Sequence, residues 1–134
     1  MASESTPQSP SNPVLWISYI MSAIPVFMLL MSAGMKISQS AQVVDGFAQM
    51  GFPKWEILPI GIVELVCTVL YLIPRTSVLG AILLTGYLGG AVVTHVRAEE
   101  MAFLGALSFG ILLWGGLFLR DARIRDLIPL RKPQ

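Results

Sequence analysis

Cysteine, histidine and charge are all scarce in this chain. Its 134 residues include one cysteine, Cys67, and one histidine, His95. A single thiol forms neither an intrachain disulfide nor a CxxC redox centre, which excludes a disulfide-exchanging membrane enzyme. Cys67 falls within an apolar stretch and reads as inert packing. A lone imidazole excludes a bis-histidine haem within one copy, and nowhere do Cys, His and carboxylates recur at metal-ligand spacing. Charged residues make up only 13% of the chain and the net charge is +1, so no extended basic face exists for nucleic acid.

What fills the chain instead is apolar surface. Hydrophobic residues account for 54% of the sequence, and the mean hydropathy is +0.71. A soluble domain of this length leaves too much of its surface in water to hide that composition. An all-α integral membrane protein resolves the conflict, and four apolar stretches supply it: 14–35, 57–73, 77–96 and 101–119. They predict a four-helix transmembrane bundle over residues 14–120.

The flanks are different. Residues 1–13 are rich in Ser and Pro and read as a disordered tail. They lack the positive n-region of a signal peptide, so the first span is expected to stay in the protein. Residues 121–134 are mixed in charge and read as a solvated tail, with Leu127, Ile128 and Leu130 able to dip into headgroups. Pro25 is expected to bend the first span. Between the first and second spans, Val43, Val44, Phe47 and Met50 share one helical face, opposite Gln42, Asp45 and Gln49. That pattern predicts a short amphipathic helix lying in the interface. The Pro74–Thr76 link is so short that the third span must run antiparallel beside the second.

Four spans put both termini on the same side as the Pro74–Thr76 turn. That side carries Arg75, Arg120, Arg123, Arg125, Arg131 and Lys132, against Lys36, Lys54 and Arg97 on the other. The bias predicts cytoplasmic termini in a plasma (inner) membrane.

Chemistry is most concentrated at Glu64, an acid in the middle of the second span. An ionisable group in hydrocarbon costs roughly 2.5 kcal/mol or more, so it calls for a partner or a role. Gly61, Glu64, Thr68 and Tyr71 share a helical face, which is expected to point into the bundle. In hydrocarbon the neutral acid is favoured unless a cation or several donors reach it. Thr85, Tyr87 and Ser108 are candidate donors at similar depth, with Lys36 and His95 approaching from the far end. Lys36 also reads simply as a terminal lysine that snorkels to the interface, and His95 as an interfacial residue. Lys36, Glu64, Tyr87 and His95 therefore form the candidate pocket.

Small residues mark the packing seams. Gly86 and Gly90 make a GxxxG in the third span, expected to pack inside the monomer first and in a homodimer second. Ala102, Ala106 and Gly110 form a similar seam in the fourth span.

Several segments occur in an order that resembles the DoxX-like family. They are Ser32-Ala33-Gly34-Met35-Lys36, Met50-Gly51-Phe52-Pro53, Gly61-Ile62-Val63-Glu64-Leu65 and Ile73-Pro74-Arg75. The run from Gly80 to Ala91, GAILLTGYLGGA, followed by His95 and Arg97, is the most specific part. The resemblance covers residues 30–120 and implies a four-helix membrane protein with a re-entrant or interfacial segment after its first helix. It also implies a link to membrane redox systems, among them a small subunit of a thiosulfate:quinone oxidoreductase. It carries over no catalytic motif and leaves open whether the chain is an enzyme.

Three functions follow as expectations. The first is a non-catalytic accessory or assembly subunit of a membrane redox complex, partnered by lipid and by other membrane subunits. The second is a component that binds quinone, with Glu64, Tyr87 and His95 orienting the headgroup; no other cofactor is expected. The third, a small proton-coupled transporter, fits less well because no aromatic cage surrounds the acid.

Overall fold

In the computed structural model, residues 8–130 are described. Six α-helices account for nearly all of them: α1 (Asn12–Ile37), α2 (Ala41–Gln49), α3 (Lys54–Leu72), α4 (Ser77–Arg97), α5 (Phe103–Arg120) and α6 (Ala122–Leu127). α1, α3, α4 and α5 are each long and apolar enough to cross a membrane. The chain is thus an all-helical bundle with four candidate spans and a short helix between the first two. Most of the expected 1–13 tail lies outside the described residues.

Each span keeps an inward stripe and leaves the rest bare. Only 17% to 33% of the residues in each apolar window are buried, so the outer faces need hydrocarbon rather than water around them. Phe27, Ile62, Ile82 and Ile111 are among the large side chains left outward. The core runs along the axis through Val26, Leu29, Leu84, Leu88, Leu113 and Leu117. Around that axis the spans form a closed ring in which α1 packs on α3 and α5, and α4 packs on the same two. α2 stands outside the ring against α3 and the end of α1.

Glycine sets the closest approaches, at positions other than the GxxxG. A Cβ on Gly80 would overlap the backbone of Tyr71, and one on Gly116 would overlap Ser22 and crowd the Ser18 carbonyl. Gly86 and Gly90, by contrast, have nothing within 4 Å of an added Cβ. The expectation that they pack inside the monomer is therefore corrected: the ring is closed at Gly80 and Gly116, and Gly86 and Gly90 border open space. In the fourth span the seam turns inward at Gly110, where an added Cβ would meet Leu88 at 3.8 Å.

α1 is continuous across Pro25, which is buried. At their C-terminal ends α1, α2 and α4 stop in the same way. A backbone N–H reaches back five residues, from Ser40 to Met35, Phe52 to Phe47 and Glu100 to His95, after a residue with positive φ. That is a Schellman closure, and Gln39, Gly51 and Glu99 occupy its left-handed position.

The C-terminal stretch departs from a simple solvated tail. Asp121 accepts a hydrogen bond from the Arg123 N–H at 2.9 Å and starts α6. Ile124 is buried, beside Trp114 and Phe118 on α5. Arg125 donates to the carbonyls of Phe118 and Leu119, which α5 leaves open at its end. A buried Ile and two satisfied carbonyls hold this segment against the bundle.

Candidate functional site

The site is built by a glycine that lets two helices touch. Gly61 on α3 faces the last turn of α1, where an added Cβ would meet the Lys36 Cβ at 2.7 Å. Ala33, fully buried one turn earlier, keeps α1 equally thin. One turn along α3 from Gly61 stands Glu64, on the same face. The consequence is an ion pair of 2.9 Å between Lys36 Nζ and Glu64 Oε2. The two side chains are 12% and 2% exposed, so the pair is shielded on nearly every side.

Ser32, one turn before Lys36, completes the cluster. Its hydroxyl accepts a hydrogen bond from Lys36 Nζ and donates to Glu64 Oε2 at 3.3 Å. The Thr68 hydroxyl is spent on the Glu64 main-chain carbonyl at 2.7 Å. Tyr87 on α4 stands beside the Glu64 carboxylate from the opposite wall. The acid thus meets a cation and hydroxyls, the company an ionised carboxylate needs away from water.

His95, at the end of α4, lines the same space. Its Nδ1 is 2.7 Å from Glu100 Oε2. The left-handed turn at Glu99 brings Glu100 back over the ring. Fixing one ring nitrogen leaves Nε2 without a protein partner among the described residues, facing the choice of a ligand or water.

Two adjoining hollows share Lys36, Tyr87, Ala91 and His95. The larger, of about 510 Å³, opens between α2, α3 and α4 and is walled by Phe47, Met50, Phe52 and Ile60. The smaller, of about 200 Å³, lies between the spans and reaches Glu64, Ser32 and Phe109. The rings of Phe47 and Phe52 pack at 5.4 Å, which ties α2 to its own exit turn and makes one apolar wall. The arrangement offers an apolar slot with a charged, hydroxyl-bearing floor. Chemically it can hold a flat apolar body by its sides and donate hydrogen bonds to a carbonyl or phenolate oxygen.

All four residues singled out from sequence, Lys36, Glu64, Tyr87 and His95, border this space. Lys36 turns inward to the acid rather than snorkelling out. Thr85 and Ser108 do not reach Glu64. Thr85 donates to Ala81 and accepts from the Trp114 indole at 2.7 Å, while Ser108 donates to Leu104. Depth alone suggested them, but their faces of α4 and α5 point elsewhere. Ser32 was the missing member, and its spacing of four from Lys36 was the signal.

No group of three or more His, Cys, Asp or Glu able to hold a metal occurs among the described residues. A family model described as the DoxX-like family matches residues 20–116. No curated protein and no solved structure matches the chain.

Proposed function

The chain belongs to the DoxX-like family, and from that membership and the floor of its cavity we propose that it binds a quinone within a membrane redox system. The observation that carries this reading is Lys36, which borders the apolar cavity of about 510 Å³ and is paired with Glu64 in the smaller hollow adjoining it. Cavities of that size bury small ligands whose orientation depends on a few polar groups. Lys36, Tyr87 and His95 are the donors that would meet the quinone oxygens, and Glu64 holds Lys36 in place. Phe47, Met50 and Phe52 would flank the ring. A bound quinone supplies two-electron redox chemistry; the protein's share is to orient it and exclude water.

The ligand is reached from the membrane, so the binding end belongs on one face of it. We place that end at the outer face of the plasma membrane and both termini in the cytoplasm, on the bias of Lys and Arg between the two ends. Reporter fusions at the two termini test this.

The test of binding uses a short-chain benzoquinone and protein purified in mild detergent. Equilibrium dialysis should show saturable binding. Glu64→Gln, which frees Lys36 from its anchor, should weaken it about tenfold, equivalent to about 1.4 kcal/mol. Binding that is absent, or unchanged by the substitution, overturns the reading.

A second reading, an accessory subunit of a larger redox assembly, draws on Gly86 and Gly90. Both border the larger hollow, and an added Cβ at either meets nothing within 4 Å, which leaves room for a further helix in place of a ligand there. Comigration with a larger assembly in mild-detergent native gels supports it, and migration only as monomer counts against it. A homodimer through the same glycines is the smaller version of this arrangement.

A further inference from the structure

The opposite end of the bundle holds a second polar cluster that the quinone reading does not use. Here α3 ends, α4 begins and α5 ends, leaving a hollow of about 250 Å³ bordered by Tyr19, Tyr71, Ser77, Arg120 and Asp121. Arg120 is the cation of this hollow. Its guanidinium lies 5.6 Å from the centroid of the Tyr19 ring and 5.4 Å from that of Tyr71. Nη1 donates to the Ser22 hydroxyl at 2.7 Å, and that hydroxyl shares a 2.8 Å hydrogen bond with the Tyr71 phenol. Tyr71 in turn donates to the Leu113 carbonyl at 2.8 Å.

The guanidinium is held rigidly by these contacts but is not neutralised. No carboxylate pairs with it among the described residues, and its other donors have no protein acceptor there. A planar cation fixed between rings, with free N–H groups, suits a phosphate. Next to it in the chain stands Asp121, whose Oδ1 is taken by the Arg123 N–H at 2.9 Å. Asp121 borders the same hollow, and its other carboxylate oxygen has no protein donor among the described residues.

A carboxylate on the rim of the same hollow would repel a headgroup that is only anionic. It favours one that carries a donor-bearing cation a short way from its phosphate. We propose that this hollow is a binding site for the phosphoethanolamine headgroup of a membrane phospholipid, with Arg120 on the phosphate and Asp121 on the primary ammonium. A quaternary ammonium has no N–H to give Asp121, so phosphatidylcholine is the poorer ligand. The site's level supports a lipid as the source. Three span ends meet around it, where the headgroup layer of a bilayer lies, and the exposed Trp16 and Tyr19 mark the same level on α1.

The test reconstitutes the full chain in phosphatidylcholine vesicles with equal traces of phosphatidylethanolamine and phosphatidylglycerol. Native mass spectrometry then counts the lipid that stays bound. The native chain should retain phosphatidylethanolamine about fivefold over phosphatidylglycerol, the scale of one exposed charge pair. Asp121→Asn keeps an oxygen for the Arg123 N–H, so α6 still starts, but the preference should vanish. Arg120→Gln should weaken retention of both lipids about tenfold, the scale of a charge-assisted hydrogen bond. Equal retention by the native chain, or a preference that survives Asp121→Asn, overturns the assignment. Displacement of the lipid by millimolar soluble phosphoethanolamine would make the ligand a free metabolite and overturn the lipid as its source; persistence of the bound lipid supports it.

Discussion

Gly80 of α4 lies so close to Tyr71 of α3 that any side chain at position 80 would occupy the space of the Tyr71 main chain. The contact explains how Pro74–Thr76 can link two antiparallel spans without a gap between them. Thr76 reinforces the turn by donating to the Leu70 carbonyl at 2.8 Å. Gly80→Ala should therefore force the two helices apart and cost about 1–3 kcal/mol, the usual toll of overpacking. Gly89→Ala is the control, because an added Cβ there meets nothing. It should be neutral or stabilising by up to about 1 kcal/mol, from helix propensity alone. Denaturation by added SDS in mild detergent, followed by circular dichroism, separates the two.

Removing one member of the buried pair should hurt more than removing both. Lys36→Met strands Glu64, which is 2% exposed, and should cost about 3–5 kcal/mol. Adding Glu64→Leu to that variant should recover much of the loss while leaving quinone binding abolished. The same SDS titration reads the stability, and equilibrium dialysis the binding. Equal destabilisation by the single and the double change would mean that the pair is not shielded as described.

Tyr71→Phe deletes a hydroxyl that ties α1 to α3 through Ser22 and α3 to α5 through the Leu113 carbonyl. Stability should fall by about 1–3 kcal/mol, because a buried acceptor loses its donor. Quinone binding at the far end should be unaffected, which distinguishes this cluster from the Lys36 site.

The left-handed turns offer a change in the other direction. Gln39 and Glu99 hold φ values of 51° and 57°, a region in which a side chain costs roughly 1–2 kcal/mol. Gln39→Gly should raise stability, by about 0.5–1 kcal/mol after the flexibility of glycine in the unfolded chain is counted. Glu99→Gly should do the same. Thermal denaturation monitored by tryptophan fluorescence measures both.

The spans were legible because hydropathy and length speak directly to a bilayer. Glu64 announced itself, since an acid in an apolar run needs a partner, whether it serves structure or function. Its inward face followed from the spacing of Gly61, Thr68 and Tyr71. The partners were harder. Thr85 and Ser108 sit at a plausible depth, but helix rotation decides contact, and rotation depends on which glycines take a neighbouring backbone. Gly61, Gly80 and Gly116 do so and Gly86 and Gly90 do not, yet in the sequence all five look alike. The Ser22–Tyr71–Arg120 cluster joins residues 98 positions apart. No local pattern predicts that pairing, although Ser18 and Ser22 on one face of α1 opposite Gly116 were a hint.

Between the two polar clusters runs the belt of Val26, Leu29, Leu84, Leu88 and Leu113. On α1 it separates Ser22 from Ser32, and the one hydroxyl nearby on α3, Thr68, is already committed to the Glu64 carbonyl. The belt acts as an insulator. Among the described residues no chain of side-chain hydrogen bonds links the Lys36–Glu64 pair to Arg120. The two clusters thus stand as separate polar ends of one bundle, and a substitution at one should leave the contacts of the other intact.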